Sequence, residues 1–447
     1  MSTASMSRRL RHRTRGGAAP LRVAARRRAV DEPVSVQARP LRRGRSEGQM
    51  TERWDVVVVG AGVIGSAVSY FLAGAGLRVC LLDRGAVAGG TSSASAGHAS
   101  VQGRVPGPPL ELALANIRLL EELSRELKTD FEYVRSGGLV LAEDETEYHL
   151  LKEFAARQSA HVPVEFWEAA DVERAEPRLN LRRILGATYC PLDGYTNPMA
   201  LTLALARAAA ERGVQVRPHT EVIGVETSGG RVAGVRTVEQ MFWSPIVVNA
   251  AGVWSPAIGR LAGVEIGVEP RKGQLLVSEP LPPLVRAVIS HAGHIPFKEH
   301  GLQTPHDFEG ELQKKRYLKQ TRSGGFQGRF YVGSTSEFVG FDRGSTWEGV
   351  SQLCRYAVDT VPALARARLV RAWAGLRPRS GDGRFIIGPA PGLEGFWLAT
   401  GHDSIGILYS TMTGKLLASF ILSGRRPDML APFDPARPSL VTRDGGH

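Results

Sequence analysis

The most apolar part of the chain, residues 56–77, contains 22 residues without a charged side chain. By hydropathy alone it is a candidate transmembrane helix, and the basic residues before it would satisfy the positive-inside rule. Its internal pattern favours another interpretation, because residues 56–59 form a β-branched run typical of a buried parallel strand, and glycines interrupt the positions that follow. We therefore predict a strand, a turn and a helix here, and no transmembrane segment.

The turn after this strand has the glycine spacing G-x-G-x-x-G, and a second strand, residues 78–82, ends at an aspartate 18 residues after the last glycine. Dinucleotide-binding domains typically have this succession of strand, glycine motif, helix, second strand and acid. In them the phosphates lie at the helix N-terminus and the acid binds the ribose hydroxyls. An aspartate at that place argues against a 2′-phosphate. The residues that we expect to serve the dinucleotide here are Gly60, Gly62, Val63, Ile64, Gly65 and Asp83.

Small and hydroxyl side chains dominate the next loop, residues 84–98, which suits an extended cofactor but equally an ordinary flexible loop. This loop resembles the flavin-proximal segment of the D-amino-acid-oxidase superfamily of FAD-dependent amine oxidoreductases. Three further segments, residues 191–198, 247–254 and 371–402, resemble that superfamily in the same order. The superfamily includes glycine and sarcosine oxidases, D-amino acid dehydrogenases and the β subunits of opine and proline dehydrogenases. The resemblance extends from residue 54 to about residue 425.

The resemblance implies FAD as the cofactor. Some sarcosine oxidases attach their flavin through a cysteine near the C-terminal motif, and no cysteine follows Cys354 here, so we expect the FAD to be non-covalent. The further residues that the resemblance places at the FAD are Arg84, Thr91, Ser92, Ser93, Ala96, Gly97, His98, Val222, Ala251, Gly252, Trp254, Gly375, Gly401, Asp403, Ser404, Ile405, Gly406 and Ile407.

The fold class that the resemblance implies is α/β, with a discontinuous Rossmann-type FAD-binding domain and a second, α+β substrate domain built on a mostly antiparallel sheet. The FAD-binding domain would comprise residues 51–105, 185–262 and 372–430, and the substrate domain residues 106–184 and 263–371, followed by a tail, 431–447. Periodicity is consistent with this order. Helical spacing occurs in residues 110–128 and 408–422, and strand patterns in residues 139–142, 271–278 and 329–334.

The chemistry that the resemblance implies is oxidation of the C–N bond of an amino acid or secondary amine acid. Hydride would pass to flavin N5, and the resulting imine would hydrolyse. Arg377, in the sequence Gly-Leu-Arg-Pro, would clamp the substrate carboxylate, for which a planar guanidinium is suited. Tyr317 would assist it, and His402 would pack against the flavin or take part in catalysis. Lys272 is a weaker candidate for the substrate face of the flavin.

This chain departs from the superfamily pattern at Ser404 and Ile405, where glycine-oxidase-like members use a second arginine for the carboxylate. The departure weakens glycine as the substrate and leaves room for a bulkier or secondary amine. The electron acceptor, O₂ or a quinone, stays open. The strand at 271–278 and the turn at 340–342 look more like opine or proline dehydrogenase β subunits and cyanide-forming synthases, so a partner dehydrogenase subunit is a second hypothesis, and a tRNA-modifying flavoprotein a third.

The positive charge of the chain is concentrated in its first 49 residues. The formal net charge is +12, but residues 1–49 hold thirteen arginines against three acids, whereas the remainder has 43 basic and 41 acidic residues. We expect this arm, residues 1–50, to be disordered, because it has no aromatic residue and no sustained apolar face. A nucleic-acid or membrane tail, a transit peptide, an export signal and a true start at Met50 all remain open.

A nearly neutral body argues against specific nucleic-acid binding. Cys80, Cys190 and Cys354 form no C-x-x-C motif, so we predict no metal site. A cytoplasmic enzyme, or one peripheral to the membrane, is the expected setting.

Overall fold

The computed structural model describes residues 53–302, 317–321 and 328–440. The predicted arm and the last seven residues of the predicted tail lie outside the described residues. The helices are α1 (Val63–Gly74), α2 (Pro108–Glu126), α3 (Glu145–Gln158), α4 (Ala169–Ala175), α5 (Pro198–Glu211), α6 (Ser255–Leu261), α7 (Trp347–Thr360) and α8 (Gly406–Ser423).

The strands, in chain order, are β1 (Val56–Val59), β2 (Val79–Leu82), β3 (His98–Ala99), β4 (Gly138–Ala142), β5 (Glu165–Glu168), β6 (Gly186–Cys190), β7 (Gly194–Tyr195), β8 (Gln215–Arg217), β9 (Val222–Ser228), β10 (Arg231–Thr237), β11 (Met241–Trp243), β12 (Val247–Asn249), β13 (Val268–Leu281), β14 (Val288–His291), β15 (Tyr317–Gln320), β16 (Gly328–Gly333), β17 (Leu369–Ser380), β18 (Ile386–Pro389) and β19 (Phe396–Thr400).

A six-stranded sheet has the order β18-β19-β12-β1-β2-β8, and all its neighbours run parallel except β18 and β19. The apolar strands β1 and β2 are buried along their whole length, as in a parallel sheet covered on both faces. On one face α1 and α8 cross closely, since a Cβ on Gly414 would lie 2.7 Å from the Cβ of Ala67. The predicted Rossmann-type layer is thus confirmed.

Two apolar cores cover the two faces of this sheet. Helices α1, α2, α5 and α8 contribute to the core on one face. The three-stranded antiparallel sheet β11-β10-β9 contributes to the core on the other. Alternate residues of β1 divide between them, with Val56 and Val58 in the first core and Val57 and Val59 in the second.

An eight-stranded sheet has the order β17-β13-β16-β15-β14-β4-β6-β5, and only its β14–β4 pair is parallel. Leu139, Ile289 and Leu318 on one face pack with α4 and α7 in a third core. Because successive side chains of a strand point to opposite faces, the intervening residues, among them Val140 and Tyr317, point the other way and line a large cavity. We call this second side of the sheet the cavity face.

The elements predicted from periodicity are found. Residues 56–77 divide into β1 and α1, so the transmembrane interpretation of that segment is wrong. Strands β4, β13 and β16 and helices α2 and α8 occupy the predicted segments, and α8 ends at Gly424 with a φ of 67°. Residues 403–423 are long and apolar enough to cross a membrane, but 61% of that window is buried within the fold, as in a core helix.

The proposed division into two domains stays a prediction, because residues 51–447 cluster as one compact unit. Strand β6, which falls in the predicted FAD-binding segment 185–262, pairs with β4 and β5 of the eight-stranded sheet. The described part of the predicted tail packs on the fold. Phe433 is buried, and Arg437 Nε donates to Asp382 Oδ2 at 2.7 Å.

Candidate active site

A cavity of about 1600 Å³ lies where the parallel strands end and the cavity face of the eight-stranded sheet begins. Its lining includes residues directly after β1, β2, β12 and β19, and residues of β13, β15 and β17. Ligands of open α/β sheets bind at the carboxyl ends of the strands. The volume exceeds that of an ordinary small-molecule pocket, about 300–1000 Å³, and suits a dinucleotide together with a small substrate.

The glycine turn is shaped as the sequence motif requires. Gly60 has a φ of 109°, and a Cβ there would lie 2.5 Å from the carbonyl oxygen that follows β12. A Cβ on Gly65 would lie only 1.9 Å from the carbonyl oxygen of Gly60, so α1 packs directly on the turn. Gly62 lines the cavity, and the backbone N–H of Val63 donates to Ser92 Oγ at 2.9 Å. The start of α1 therefore faces the cavity without side chains to block it.

A carboxylate and an aromatic ring lie beside this turn. Asp83 Oδ2 accepts from the backbone N–H of Ala61, and its Oδ1 from that of Gly85, both at 2.7 Å. These bonds orient the carboxylate and leave lone pairs for ribose hydroxyls. The Arg84 guanidinium lies 4.3 Å from the centre of the Trp254 ring. All three of these side chains line the cavity, so the residues fit the adenosine half of a dinucleotide.

Most of the other predicted FAD contacts also line the cavity, namely Ile64, Thr91, Ser92, Ala96, Gly97, His98, Val222, Ala251, Gly252, Gly375, Asp403, Ser404, Ile405, Gly406 and Ile407. Gly65, Ser93 and Gly401 do not. Gly65 is covered by the turn it packs on, and the Ser93 hydroxyl donates to the carbonyl of Gly90 at 3.2 Å on the exposed side of the loop. Gly401 has a φ of 77° and turns the chain after β19.

Arg377 is a half-buried cation with an open anion-binding capacity. It lies in β17, and its Nη2 donates to Ser334 Oγ at 2.6 Å while its Nη1 donates to the carbonyl of Thr335 at 3.1 Å. Within the described residues it has no carboxylate partner at ion-pair distance. A Cβ on Gly273, in the neighbouring strand, would lie 1.9 Å from Arg377 Nη2, so a glycine is needed for the guanidinium to lie across the cavity face. A substrate carboxylate would supply the missing charge.

Tyr317 and His98 lie near this guanidinium. Both line the cavity, and their ring centres are 5.6 Å apart. Burial raises the pKa of Tyr317, and the nearby charge of Arg377 opposes that rise, so the phenol stays protonated. Burial, with help from Lys319 and Arg104, lowers the pKa of His98 to about 3. The substrate end of the cavity is therefore lined by a fixed cation and by neutral rings at physiological pH.

His402 is held as a neutral, stacked ring. It is 3% exposed, its Nε2 lies 3.3 Å from Thr413 Oγ1, and its ring centre lies 4.6 Å from that of Phe385. Burial lowers its pKa to about 3. The sequence left a packing role and a catalytic role open for His402, and these contacts favour the packing role.

A second arginine lies where sequence reasoning missed it. Arg271 pairs directly with Arg377 across β13 and β17, and its Nη2 donates to Asp403 Oδ2 at 2.5 Å. Arg379 Nη1 lies 3.9 Å from the same carboxylate oxygen. The Nε of Arg271 and the Oδ1 of Asp403 are buried without a hydrogen-bond partner in the described chain. This chain lacks the second arginine of the superfamily pattern at Ser404 and Ile405, but the alternation of residues 271–275 could have indicated Arg271 as a cavity residue.

The same alternation shows that the prediction for Lys272 is wrong. Lys272 is 1% exposed and does not line the cavity, because its neighbours Arg271 and Gly273 take the cavity face of β13. Its Nζ instead lies 3.1 Å from Glu337 Oε2 and 2.9 Å from Asp342 Oδ2. Lys272 therefore anchors the loop between β16 and α7.

No group of three or more metal-ligating side chains occurs among the residues that the structure covers.

The comparisons with known proteins agree with this geometry. Residues 55–420 match the family of FAD dependent oxidoreductases. The chain is 32% identical over 397 residues to glycine oxidase of Geobacillus kaustophilus, covering 87% of this chain and 98% of that protein. It is 31% identical to hydrogen cyanide synthase subunit HcnC of Pseudomonas aeruginosa, covering 87% of this chain and 97% of the subunit.

Solved structures give the same result. The crystal structure of glycine oxidase from Geobacillus kaustophilus matches with a TM-score of 0.77 at 30% identity, covering 87% of this chain and 99% of that one. L-proline dehydrogenase from P. horikoshii shares the fold, with a TM-score of 0.76 at 23% identity, covering 86% of this chain and 98% of that one. The predicted enzyme class and its cofactor, FAD, are confirmed, and the chain belongs to the family of FAD-dependent oxidoreductases that includes glycine oxidase.

Proposed function

We propose that this protein oxidises the Cα–N bond of an amino acid or of a secondary amine acid whose carboxylate is bound by Arg377. The observation that carries the proposal is the half-buried guanidinium of Arg377, which has no carboxylate partner in the described residues and lies in the same cavity as the glycine turn and Asp83. When bound, FAD supplies a hydride acceptor at its N5 atom. The overall products would be reduced flavin and an imine, which water hydrolyses to a carbonyl acid and an amine.

The cofactor would be held by backbone groups of the glycine turn and by the loop after β2. The start of α1 would bind the pyrophosphate, and Asp83 the adenosine ribose, with the Arg84–Trp254 pair beside it. At the other end of the cavity, the backbone N–H groups at the start of α8 would face the flavin pyrimidine. Arg271 and Arg379 flank Asp403 there, and two arginines against one carboxylate favour negative charge at that place.

The substrate would be oriented by Arg377 and Tyr317 on the cavity face. A carboxylate fixed by a guanidinium points one Cα substituent at the cofactor, and this fixed geometry lowers the entropic part of the barrier. The amine must be neutral when hydride leaves. The positive charge of Arg377 favours loss of the ammonium proton before that step. His98 and His402, both held neutral by burial, are assigned to shaping the site.

A second candidate concerns the electron acceptor. HcnC, a relative at 31% identity over 87% of this chain, is by its name a subunit of a larger synthase, which supports a partner dehydrogenase subunit or a quinone as the electron acceptor beside O₂. A cytoplasmic location, peripheral to the membrane where the acceptor is a quinone, belongs to the same proposal.

The test uses the FAD-loaded protein under anaerobic conditions. Flavin absorbance is followed while D- and L-amino acids, glycine, sarcosine, proline and opines are added in turn. At least one amino-acid-type substrate should bleach the flavin, and loss of bleaching by the whole panel would contradict the proposal. Adding O₂ or a quinone dye to the bleached enzyme then identifies the acceptor, since hydrogen peroxide release indicates an oxidase and dye reduction a dehydrogenase.

A further inference from the structure

The loop between β16 and α7, residues 334–346, presents apolar side chains to solvent that the proposed function does not use. Phe338 is 60% exposed, Val339 43% and Phe341 55%. Neighbouring apolar side chains that stay exposed on a soluble protein often belong to a binding site. We call this segment the β16–α7 loop and ask what it contacts.

Two buried side chains of β13 hold the β16–α7 loop in place. Lys272 Nζ lies 2.9 Å from Asp342 Oδ2 and 3.1 Å from Glu337 Oε2. The side-chain amide of Gln274 donates to Glu337 Oε1 at 2.7 Å and accepts from the backbone N–H of Thr346 at 2.8 Å. Because these bonds tie several points of the loop to one strand, they fix the position of the residues between them.

One aromatic side chain of the loop reaches the adenosine end of the cavity. The ring centre of Phe341 lies 6.2 Å from that of Trp254, with 28° between the ring planes. Trp254 in turn contacts the Arg84 guanidinium, and both line the cavity together with Asp83. Phe341 therefore continues a row of flat side chains that begins beside the carboxylate expected to bind the adenosine ribose. Phe338 makes no ring contact within the described chain.

The loop also carries a cation to the cavity. Arg343 lines the cavity, and within the described residues its side chain makes no hydrogen bond and no ion pair. The neighbouring carboxylate of Asp342 is bound by Lys272 on the other side of the loop. The guanidinium of Arg343 is thus available to an anion in the cavity, and its planar fork suits the oxygens of a phosphate group.

We propose that the β16–α7 loop is part of the FAD site, in which Phe341 extends the aromatic wall beside the adenosine and Arg343 binds the pyrophosphate. Lys272 and Gln274 are positioning residues, because they hold the loop against β13. The loop then slows the release of FAD, and bound cofactor covers apolar surface that the chain leaves exposed. The proposal requires FAD as the cofactor and does not depend on which substrate is oxidised.

The test measures how fast the FAD-loaded protein releases its cofactor. Released FAD is separated by ultrafiltration at set times after dilution and is quantified by its absorbance. Phe341→Ala should raise the release rate by about 3- to 10-fold, and Arg343→Met by about 10-fold, as expected for losing a ring contact and a charge-assisted hydrogen bond. Two control variants should change the rate by less than about 2-fold. They are Phe338→Ala, on the same loop, and Arg355→Met, exposed on α7.

Ionic strength separates the two contacts. If Arg343 binds the pyrophosphate, the wild type should release FAD faster as the salt concentration rises, because salt screens the attraction. This increase should be smaller in Arg343→Met and largely kept in Arg343→Lys. Phe341→Ala should keep the salt dependence of the wild type, since the ring contact carries no net charge.

The anchoring of the loop is tested with Asp342→Asn. This substitution changes an exposed carboxylate that Lys272 holds, so it weakens the attachment of the loop without altering the core. It should raise the release rate by about 3-fold, while the thermal unfolding midpoint of the same protein stays close to that of the wild type. Faster release that is matched by an equal loss of stability in all variants would overturn the positioning role.

The outcomes are distinct. Unchanged release rates in Phe341→Ala and Arg343→Met overturn the proposal, and so does an equally fast release in Phe338→Ala. If the loop binds a second copy of the chain or another protein instead, Phe338→Ala and Phe341→Ala should alter the sedimentation of the protein alike and leave FAD release unchanged, which also overturns it. If no amino acid bleaches the flavin, the proposed function fails, but FAD release is measured without substrate and still decides the role of the loop.

Discussion

At the scale of single residues, burial fixes which groups of the site are charged. Arg377 is held as a cation between Ser334 and Thr335, and its charge has no carboxylate partner in the described chain. Arg377→Met should therefore lower kcat/KM for an amino acid substrate by about 100-fold or more, and Arg377→Lys by about 10-fold, since an ammonium cannot make the bidentate contact. Steady-state kinetics check this, with Arg371→Lys, exposed on the same strand, as the matched control. Equal effects of the two lysine variants would contradict the assignment.

His402 gives a second prediction, on stability. Its pKa in the folded protein is about 3, below the ordinary value of 6.5, so the folded state binds fewer protons than the unfolded state between those values. Its contribution is fully present above pH 6.5 and decreases as the pH falls, by about 1.4 kcal/mol per pH unit, or about 2 kcal/mol at pH 5. Unfolding midpoints at pH 5 and pH 7.5 should differ less in His402→Phe than in the wild type. An unchanged difference would show that folding does not lower the pKa of His402.

Local sequence located some site residues and not others. Arg377 and Asp83 belong to sequence motifs whose residue spacing indicates their roles. Arg271 stands in no motif that indicates a role, and its place in the cavity arises from strand pairing with Arg377, about a hundred residues later in the sequence. The prediction for Lys272 was wrong because successive side chains of a strand point to opposite faces, and the cavity face of β13 is taken by Arg271 and Gly273.

At the scale of elements, the junction of β1 and α1 depends on two glycines for different reasons. Gly65→Ala should destabilise the protein without any ligand, by about 1–3 kcal/mol, because its Cβ would lie 1.9 Å from the carbonyl oxygen of Gly60. Gly62→Ala should leave the apoprotein nearly unchanged, since its nearest neighbour would be Ser92 Oγ at 3.2 Å, and should weaken FAD binding at least 10-fold. Thermal unfolding of the apoproteins and FAD titration separate the two. Equal destabilisation by both would contradict this division.

The local sequence pattern predicts which helices and strands form, but it does not predict which sheet a strand joins. The sequence of residues 56–82 specifies β1, α1 and β2 through valine runs and glycines that act within a few positions. The family order placed residues 186–190 in the FAD-binding segment, yet they form β6 of the eight-stranded sheet, where they pair with β4 and β5. Such long-range pairing is decided by packing between layers, which periodicity does not encode.

At the scale of the whole molecule, charge and fold are carried by different parts of the chain. The compact unit, residues 51–447, is nearly neutral overall, while its cavity concentrates Arg377, Arg271 and Arg379 against Asp403. Attraction of an anionic substrate is therefore a local property of the cavity. The net charge of +12 reflects the arginines of residues 1–49, which lie outside the described residues.

Removing residues 1–49 should therefore separate two properties. The full chain should bind heparin and duplex DNA at low salt, with an affinity that falls steeply as salt rises, because thirteen arginines release counterions from a polyanion. The shortened chain, starting at Met50, should lose this binding and keep FAD content and substrate reduction rate within about 2-fold, since the described residues that line the cavity all follow Met50. Salt titrations and anaerobic flavin reduction on both proteins check it. Polyanion binding that survives the deletion would place a nucleic-acid surface on the body and would revive the RNA-linked hypothesis, whereas a loss of FAD would show that the arm supports the fold.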